Sequence, residues 1–312
     1  MAFLQDSISS VLKQSYLNFE LLIIDDCSYD GSLEYLQSLN DERIQLFTNE
    51  KNKGLFFNLN FLIQKANAPL IKLWSQDDIM YRDCIKTIIE FHDRNPEIGF
   101  SYSGRDIIDK KGEITPIDFI DSTPEIIPVS LHTRIAFFTG SIAGNISNVT
   151  ISKRVFKNTG LFNESMKISG DFDMWVRIAE NYSIGFISDN LVKLRNHSSQ
   201  LSRQEKYYLT HLKEDLGVYQ YLMSYINEAE KNKGKTILRN HKLLFYYTLM
   251  VKAFFKGSLK TGFAFFKILR KFDNIGLLSF YFLRNRILFK KRYEKIHLDN
   301  SVFIKGDSYF PK

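Results

Sequence analysis

The sequence predicts an α/β protein: a mostly parallel sheet flanked by helices, followed by a helical, basic C-terminal extension. Three observations carry this. Short apolar runs alternate with stretches of helical periodicity over the first hundred residues, the pattern of right-handed βαβ units. Two of those runs stop on adjacent aspartates, Asp25 and Asp26 in ELLIIDDCS and Asp77 and Asp78 in LWSQDDIM. The charge is also divided along the chain. Residues 1–234 hold 25 Lys and Arg against 31 Asp and Glu, whereas 235–312 hold 17 against 4.

Taken in order, FLQDSISSVLKQS places Leu4, Ile8, Val11 and Leu12 at helical spacing. FELLII, 19–24, is a short Ile- and Leu-rich run and predicts a buried strand. Helix is expected over 31–39, strand over 43–47 and a turn at NKG, 52–54. Helix over 55–66 and strand over 69–74 follow, then helix over 81–96, which stops before Pro96. Strand is expected over 98–104. Residues 114–130 hold three of the six prolines and read as a long loop. A strand over 148–152 precedes a short helix, and an amphipathic helix is expected over 169–187, opening on Asp171 and Asp173. LVKLR, 191–195, reads as strand. From about 205 the breakers thin out and long helices alternate Phe, Leu and Tyr clusters with Lys and Arg. The expected division is therefore 1–204 and 205–312.

The composition narrows the function classes. With 44% hydrophobic residues the chain can bury a sizeable core. Cys27 and Cys84 are the only cysteines, without zinc or disulfide spacing, and they read as small buried hydrophobes in a cytosolic chain. The first residues lack the layout of a secretory leader. No run reaches the roughly 18 apolar residues a membrane span needs. A glycine-rich phosphate loop, which a nucleotidyltransferase reading would want, is missing, and no nucleic-acid-binding motif accompanies the basic tail.

In open α/β sheets ligands lie at the carboxyl ends of the strands, so both doublets point to one sheet edge. Four carboxylates there suggest a divalent cation, or hydrogen bonds to a ligand that cation and phosphates anchor. Mg²⁺ or Mn²⁺ prefers oxygen ligands and usually binds through one or two carboxylates plus substrate phosphates. The plainer alternative is that each aspartate caps the next helix or turn, and it applies with most force to Asp171 at a helix start. In the tail, basic amphipathic helices suit an anionic membrane surface, each cation there contributing about 1 kcal/mol. The alternative is ordinary packing with snorkelling lysines.

Five ordered blocks resemble family 2 glycosyltransferases of the GT-A (Rossmann-like) fold: FLQDSISSVLKQSYLNFELLIIDDCSYDGS, NEKNKGLFFNLN, IKLWSQDD, GLFNESMKISGDFDMWVRIAE and LVKLRNHSSQLS. The family's opening strand, a run like VSVIIPTYN, is not among the residues of this sequence, which starts at the first helix. The resemblance implies a metal-dependent, inverting transferase that uses a nucleotide-diphosphate sugar and Mg²⁺ or Mn²⁺. It places Asp25, with Asp26 nearby, at the nucleotide base. Asp77 takes the metal role in the DxD-type segment with Asp78 supporting it, because Ser75 occupies the first acidic position. Asn60, Arg195 and His197 fall on the donor side and Asp171 on the general base. Leu59 stands where the family often has Arg, and Gly170 where it has an acidic residue. The implied acceptor is a glycan, carried on lipid in cell-surface polysaccharide assembly, with the enzyme peripheral at the inner face of the membrane. The alternative is a non-catalytic protein of the same fold that binds a membrane or a partner.

Overall fold

A computed structural model of the chain describes residues 1–116, 121 and 123–288. Two compact units emerge, Met1–His132 with Ala143–Ser198, and Thr133–Ile142 with the chain from Ser199 onward.

In the first unit α1 (Leu4–Leu12) buries Leu4, Ile8 and Val11, as its spacing predicts. β1 (Leu21–Asp25) pairs in parallel with β2 (Ile44–Thr48) across α2 (Ser32–Gln37). Leu4, Ile8 and Leu36 form one small core under Leu21, Ile23 and Leu46. Then come α3 (Leu55–Lys65), β3 (Leu70–Lys72), β4 (Ile79–Met80), α4 (Cys84–Arg94) and β5 (Phe100–Ile108). The expected loop 114–130 contains two short strands, β6 (Ile114–Thr115) and β7 (Ile126–Ile127); residues 117–120 and 122 lie outside the described chain. α5 (Val129–Thr139) begins in this unit and continues into the other. β8 (Val149–Ser152), α6 (Phe156–Thr159), α7 (Gly170–Ala179) and β9 (Ile184–Arg195) complete it.

The larger sheet has the order β3-β8-β5-β9-β4, with β6 on β5 and β7 on β9. The expected α/β layering holds, but the sheet is mixed rather than mostly parallel. β5 pairs with β9 in parallel, and β3, β5 and β9 all run one way. β8 lies reversed between β3 and β5, and β4 is reversed against β9. The alternation rule constrains only strands joined by a crossover helix. β4 follows directly on the turn that holds the second doublet, and β8 returns after a long excursion, so neither is held to it.

A second difference concerns 169–187. The helix ends at Ala179 and β9 already starts at Ile184. Gly185 decides this, because a Cβ there would lie 2.3 Å from the Phe91 ring. The residue without a side chain lets α4 close on β9, and residues 184–187 bury as a strand.

The second unit is helical over its described residues: α8 (Tyr208–Leu222), α9 (Glu228–Leu238), α10 (Leu244–Phe255), α11 (Leu259–Phe272) and α12 (Ile275–Phe282). Leu212, Leu238, Leu244 and Leu269 are at most 1% exposed and mark its core. Lys242 pairs with the buried Asp215, whose carboxylate also lies 3.3 Å from His211 Nε2. Arg239 bonds Asp273 at 2.7 Å through both Nε and a terminal nitrogen. Among the described residues no helix is long and apolar enough to cross a membrane. The last part of the basic tail, 289–312, lies outside the described residues.

Candidate functional site

The first doublet closes β1. Asp25 is 4% exposed, and its carboxylate accepts from the Ser28 amide at 3.0 Å. The chain then turns through Cys27 at φ +64°, a left-handed conformation uncommon outside glycine. Asp26 reaches across to the segment before α3. Its carboxylate accepts from the Lys53 amide at 2.7 Å, the Gly54 amide at 3.0 Å and Asn49 Nδ2 at 2.8 Å. Burial by itself would push this carboxyl up. The Lys53 and Gly54 amides, with Asn49 and Asn58, outweigh it and hold Asp26 below the usual carboxylate range. Asp26 thus fastens the NKG turn and the start of α3 to the end of β1.

The second doublet lies between β3 and β4. Asp77 Oδ2 sits 2.9 Å from His197 Nε2, and the two side chains are 12% and 9% exposed. Asp78 is wholly buried. Its Oδ1 accepts from the Arg195 amide at 2.8 Å, while Asn145 Nδ2 lies 3.4 Å from Oδ2. Burial, and then the neighbouring Asp77 charge, push the Asp78 carboxyl up to about 6, against the pull of Ser147, the Arg195 amide and Lys72. Burial likewise draws the Lys72 ammonium down to about 8. Arg195 is 3% exposed. It donates from Nε to the Asp77 carbonyl at 2.8 Å and from a terminal nitrogen to the carbonyls of Asp109 and Lys110, at 2.9 and 3.2 Å. Its guanidinium also lies 4.4 Å from the Phe3 ring centroid.

α1 ties the doublets together. Leu4 and Ile8 pack toward β1. On another face of the helix, Ser7 Oγ accepts from Trp74 Nε1 at 2.9 Å and donates to the Ser75 carbonyl at 3.1 Å. Ser10 accepts from the Met80 amide at 3.0 Å, and Gln14 bonds Tyr81 and Ile85. Phe3, just before the helix, lies 5.2 Å from His197.

α3 performs the same service for Asp171. Two residues beyond the Asp26-bound Gly54, the Phe56 ring packs so closely on Gly170 that a Cβ there would lie 2.6 Å away. The family's acidic residue would not fit at 170 in this packing. Asn60 is 4% exposed and exchanges hydrogen bonds of 2.9 Å with the Phe162 backbone, while its Nδ2 also donates to Glu164 at 2.8 Å. These bonds tie α3 to the block that leads into α7. Leu59, which stands where the family often has Arg, is buried in the core. Asp171 stands in the first turn of α7 with its Oδ1 accepting from the Phe172 amide at 2.7 Å. Arg177 pins the helix by bonding Asp173 and the Thr159 and Leu161 carbonyls.

Asp77, Asp78, Arg195 and His197 therefore form one bonded cluster. Asp25 and Asp26 stand at the end of β1, each with its own partners, Asn60 holds the segment around Phe162 and Glu164, and Asp171 follows the Gly170 on which Phe56 packs. Among the described residues no group of three or more His, Cys, Asp or Glu side chains is placed to hold a metal ion. Sequence reasoning missed Lys72, Ser147 and Phe3. A lysine closing an otherwise apolar strand was the one legible signal; the other two carry none.

The family model described as glycosyl transferase family 2 matches residues 2–157. An uncharacterized glycosyltransferase of Rickettsia conorii is 28% identical over 204 residues, covering 65% of this chain and 33% of the relative. TuaG of Bacillus subtilis, named as a teichuronic acid biosynthesis glycosyltransferase, is 31% identical over 125 residues, or 39% of this chain and 48% of TuaG. The chain thus spans about a third to a half of the length of these relatives. Among solved structures, residues 1–349 of S. aureus TarS in complex with UDP-GlcNAc align with a TM-score of 0.57 at 16% identity, over 76% of this chain and 66% of TarS. At that identity the likeness concerns the fold, which is of the GT-A type. With half its length matching the family's own pattern and both aspartate doublets inside that half, the chain belongs to glycosyl transferase family 2.

Proposed function

We propose that the chain transfers a sugar from a nucleoside diphosphate sugar to a hydroxyl of a glycan acceptor, with inversion at the anomeric carbon. The acceptor is carried on lipid, in polysaccharide synthesis at the anionic inner face of the cell membrane. The observation that supports this best is the Asp77–His197 pair, 2.9 Å apart and held from behind by Arg195. The polysaccharide context rests on the name of TuaG.

Asp77 and His197 supply an oxygen and a nitrogen donor on a fixed frame and would hold Mg²⁺ or Mn²⁺ together with the donor's phosphates. Such a cation neutralises the charge that develops on the leaving diphosphate. Asp78 does not fit as a ligand, since its oxygens are buried against the Arg195 amide, Asn145 and Ser147. Its part is to set the direction of the Asp77 backbone. Asp25 receives the nucleotide base, and Asp26 braces the turn beside it. Asp171 takes the proton of the acceptor hydroxyl as that oxygen bonds the anomeric carbon and the bond to the diphosphate oxygen breaks. Holding both reactants supplies much of the rate.

The test is turnover and nucleotide binding with a panel of UDP- and GDP-sugars, with and without Mn²⁺ or Mg²⁺. Asp171→Asn is expected to lower kcat by about 10²–10⁴ while nucleotide still binds. Asp77→Ala is expected to remove the metal dependence. A wild-type chain that neither binds nor turns over any of these donors is a non-catalytic member of the family, and the proposal is then wrong.

A further inference from the structure

Between Lys231 and Phe272 the chain contains no Asp or Glu and eleven Lys and Arg. Three of these cations pair with carboxylates of the second unit: Lys231 with Glu228, Arg239 with Asp273 and Lys242 with Asp215. Others cluster around the corner where α10 turns into α11. There the rings and branched chains that a soluble helical unit would bury point outward. Phe255 is 89% exposed, Phe263 61% and Leu259 57%. Lone exposed apolar residues are ordinary; three at intervals of four residues around one corner are not.

The register of α11 separates these groups by face. Gly262, Phe265, Leu269 and Phe272 are buried and face the unit's own core. Leu259 and Phe263 lie on a second stripe, continued by the half-buried Phe266 with Arg270 over its ring at 5.9 Å. Lys260, Lys267 and Lys271 lie on a third, about a quarter turn further round. The corner is also firmly built. Gly262 lets the Phe254 ring close to where a Cβ would stand 2.7 Å away, and Phe254 meets Phe263 edge-on at 5.3 Å.

We infer that this corner inserts into the interfacial region of an anionic phospholipid bilayer, with Phe255, Leu259 and Phe263 as its apolar wedge and Lys256, Lys260 and Lys267 at the lipid phosphates. Charge complementarity selects this occupant: a stretch of 42 residues with eleven cations and no carboxylate, several of those cations on the exposed faces around the corner, suits a uniformly negative plane. An apolar stripe bordered by a basic one is the arrangement of a helix lying in the membrane surface rather than crossing it. None of the described helices is long and apolar enough to cross. This inference deepens the membrane reading proposed above and names the residues that carry it.

The experiment uses the full chain and vesicles of phosphatidylcholine with 30% phosphatidylglycerol, set against pure phosphatidylcholine. Sedimentation is expected to bring the protein down with the anionic vesicles only. The triple variant Phe255→Ser, Leu259→Ser, Phe263→Ser should weaken binding at least tenfold, with an unchanged circular dichroism spectrum because all three residues are exposed. In Phe255→Trp the introduced indole should be quenched by lipids brominated along the acyl chain. The inference is overturned if the triple variant binds as wild type does, if the indole is not quenched, or if the corner captures a protein and no lipid. Donor hydrolysis measured without vesicles keeps the two proposals apart. Loss of vesicle binding with intact hydrolysis sinks only this inference, and intact vesicle binding without hydrolysis sinks only the catalytic one.

Discussion

At the end of β1, Asp26 meets the Lys53 and Gly54 amides and the Asn49 side chain, and its carboxyl is held low. Between β3 and β4, Asp78 also has donors, the Arg195 amide, Ser147 and Asn145, but it is wholly buried beside the charge of Asp77, and its carboxyl is pushed up to about 6. Both residues are the second aspartate of a doublet that ends an apolar run. The difference lies in how much water the fold leaves to each and in the Asp77 charge beside Asp78. Asp26 is a brace whose charge stabilises the fold. Asp78 is a charge kept at a cost, beside the carboxylate that faces His197.

This contrast breaks most directly by exchange of alanine into each doublet. Asp77→Ala should lower metal-dependent turnover by a factor of 10² or more while the fold stays intact. Asp26→Ala should leave turnover per folded molecule within a few-fold, but cost about 1–3 kcal/mol in urea denaturation, because two amides lose their acceptor. If both variants lose the same property, the division into brace and active carboxylate is wrong.

The next effect is on pH dependence, and its signs are opposite. The raised Asp78 carboxyl makes its ionised form destabilising, a cost present above about pH 6. It is relieved as the pH falls through that value toward the ordinary carboxylate range near 4. The lowered Asp26 carboxyl contributes stability above the ordinary range that is lost only as the pH falls further. Denaturation series at pH 7 and pH 5 should show the Asp78 contribution improving by about 1 kcal/mol toward pH 5. Asp78→Asn should flatten that change, and Asp26→Ala should not. An unchanged slope in Asp78→Asn would sink the assignment.

The smallest effect sharpens the link from the first doublet to Asp171. Gly170→Ala places a methyl group against the Phe56 ring and should cost about 1–2 kcal/mol. Phe56→Leu in the same chain should recover most of it. A double-mutant cycle with no coupling between 56 and 170 would show that α3 does not position the start of α7.

Much of the first unit was legible. The spacing of Leu4, Ile8 and Val11 and the apolar run FELLII each depend on residues within a few positions of one another, and α1 and β1 formed there, β1 as Leu21–Asp25. The first doublet was legible as a strand end, since β1 closes on Asp25, but the second was not: β3 ends at Lys72, Asp77 and Asp78 follow in the turn beyond it, and β1 belongs to a different sheet. The separate role of Asn60 was not, because its partners Phe162 and Glu164 lie more than a hundred residues away. Nor was the shortening of the helix at 169–187, which depends on Phe91 closing over Gly185.

By itself, then, the sequence determined where most of the first unit's helices and several of its strands lie, where acidic doublets follow apolar runs and where cations gather along the chain without counter-charge. Those properties follow from local backbone preference and the periodicity of apolar residues. Only the tertiary structure decided the direction of β4 and β8, the partners of each aspartate and which of them keeps its proton longest. A carboxyl's affinity for its proton depends on the donors, charges and water within a few ångströms, and distant parts of the chain supply those.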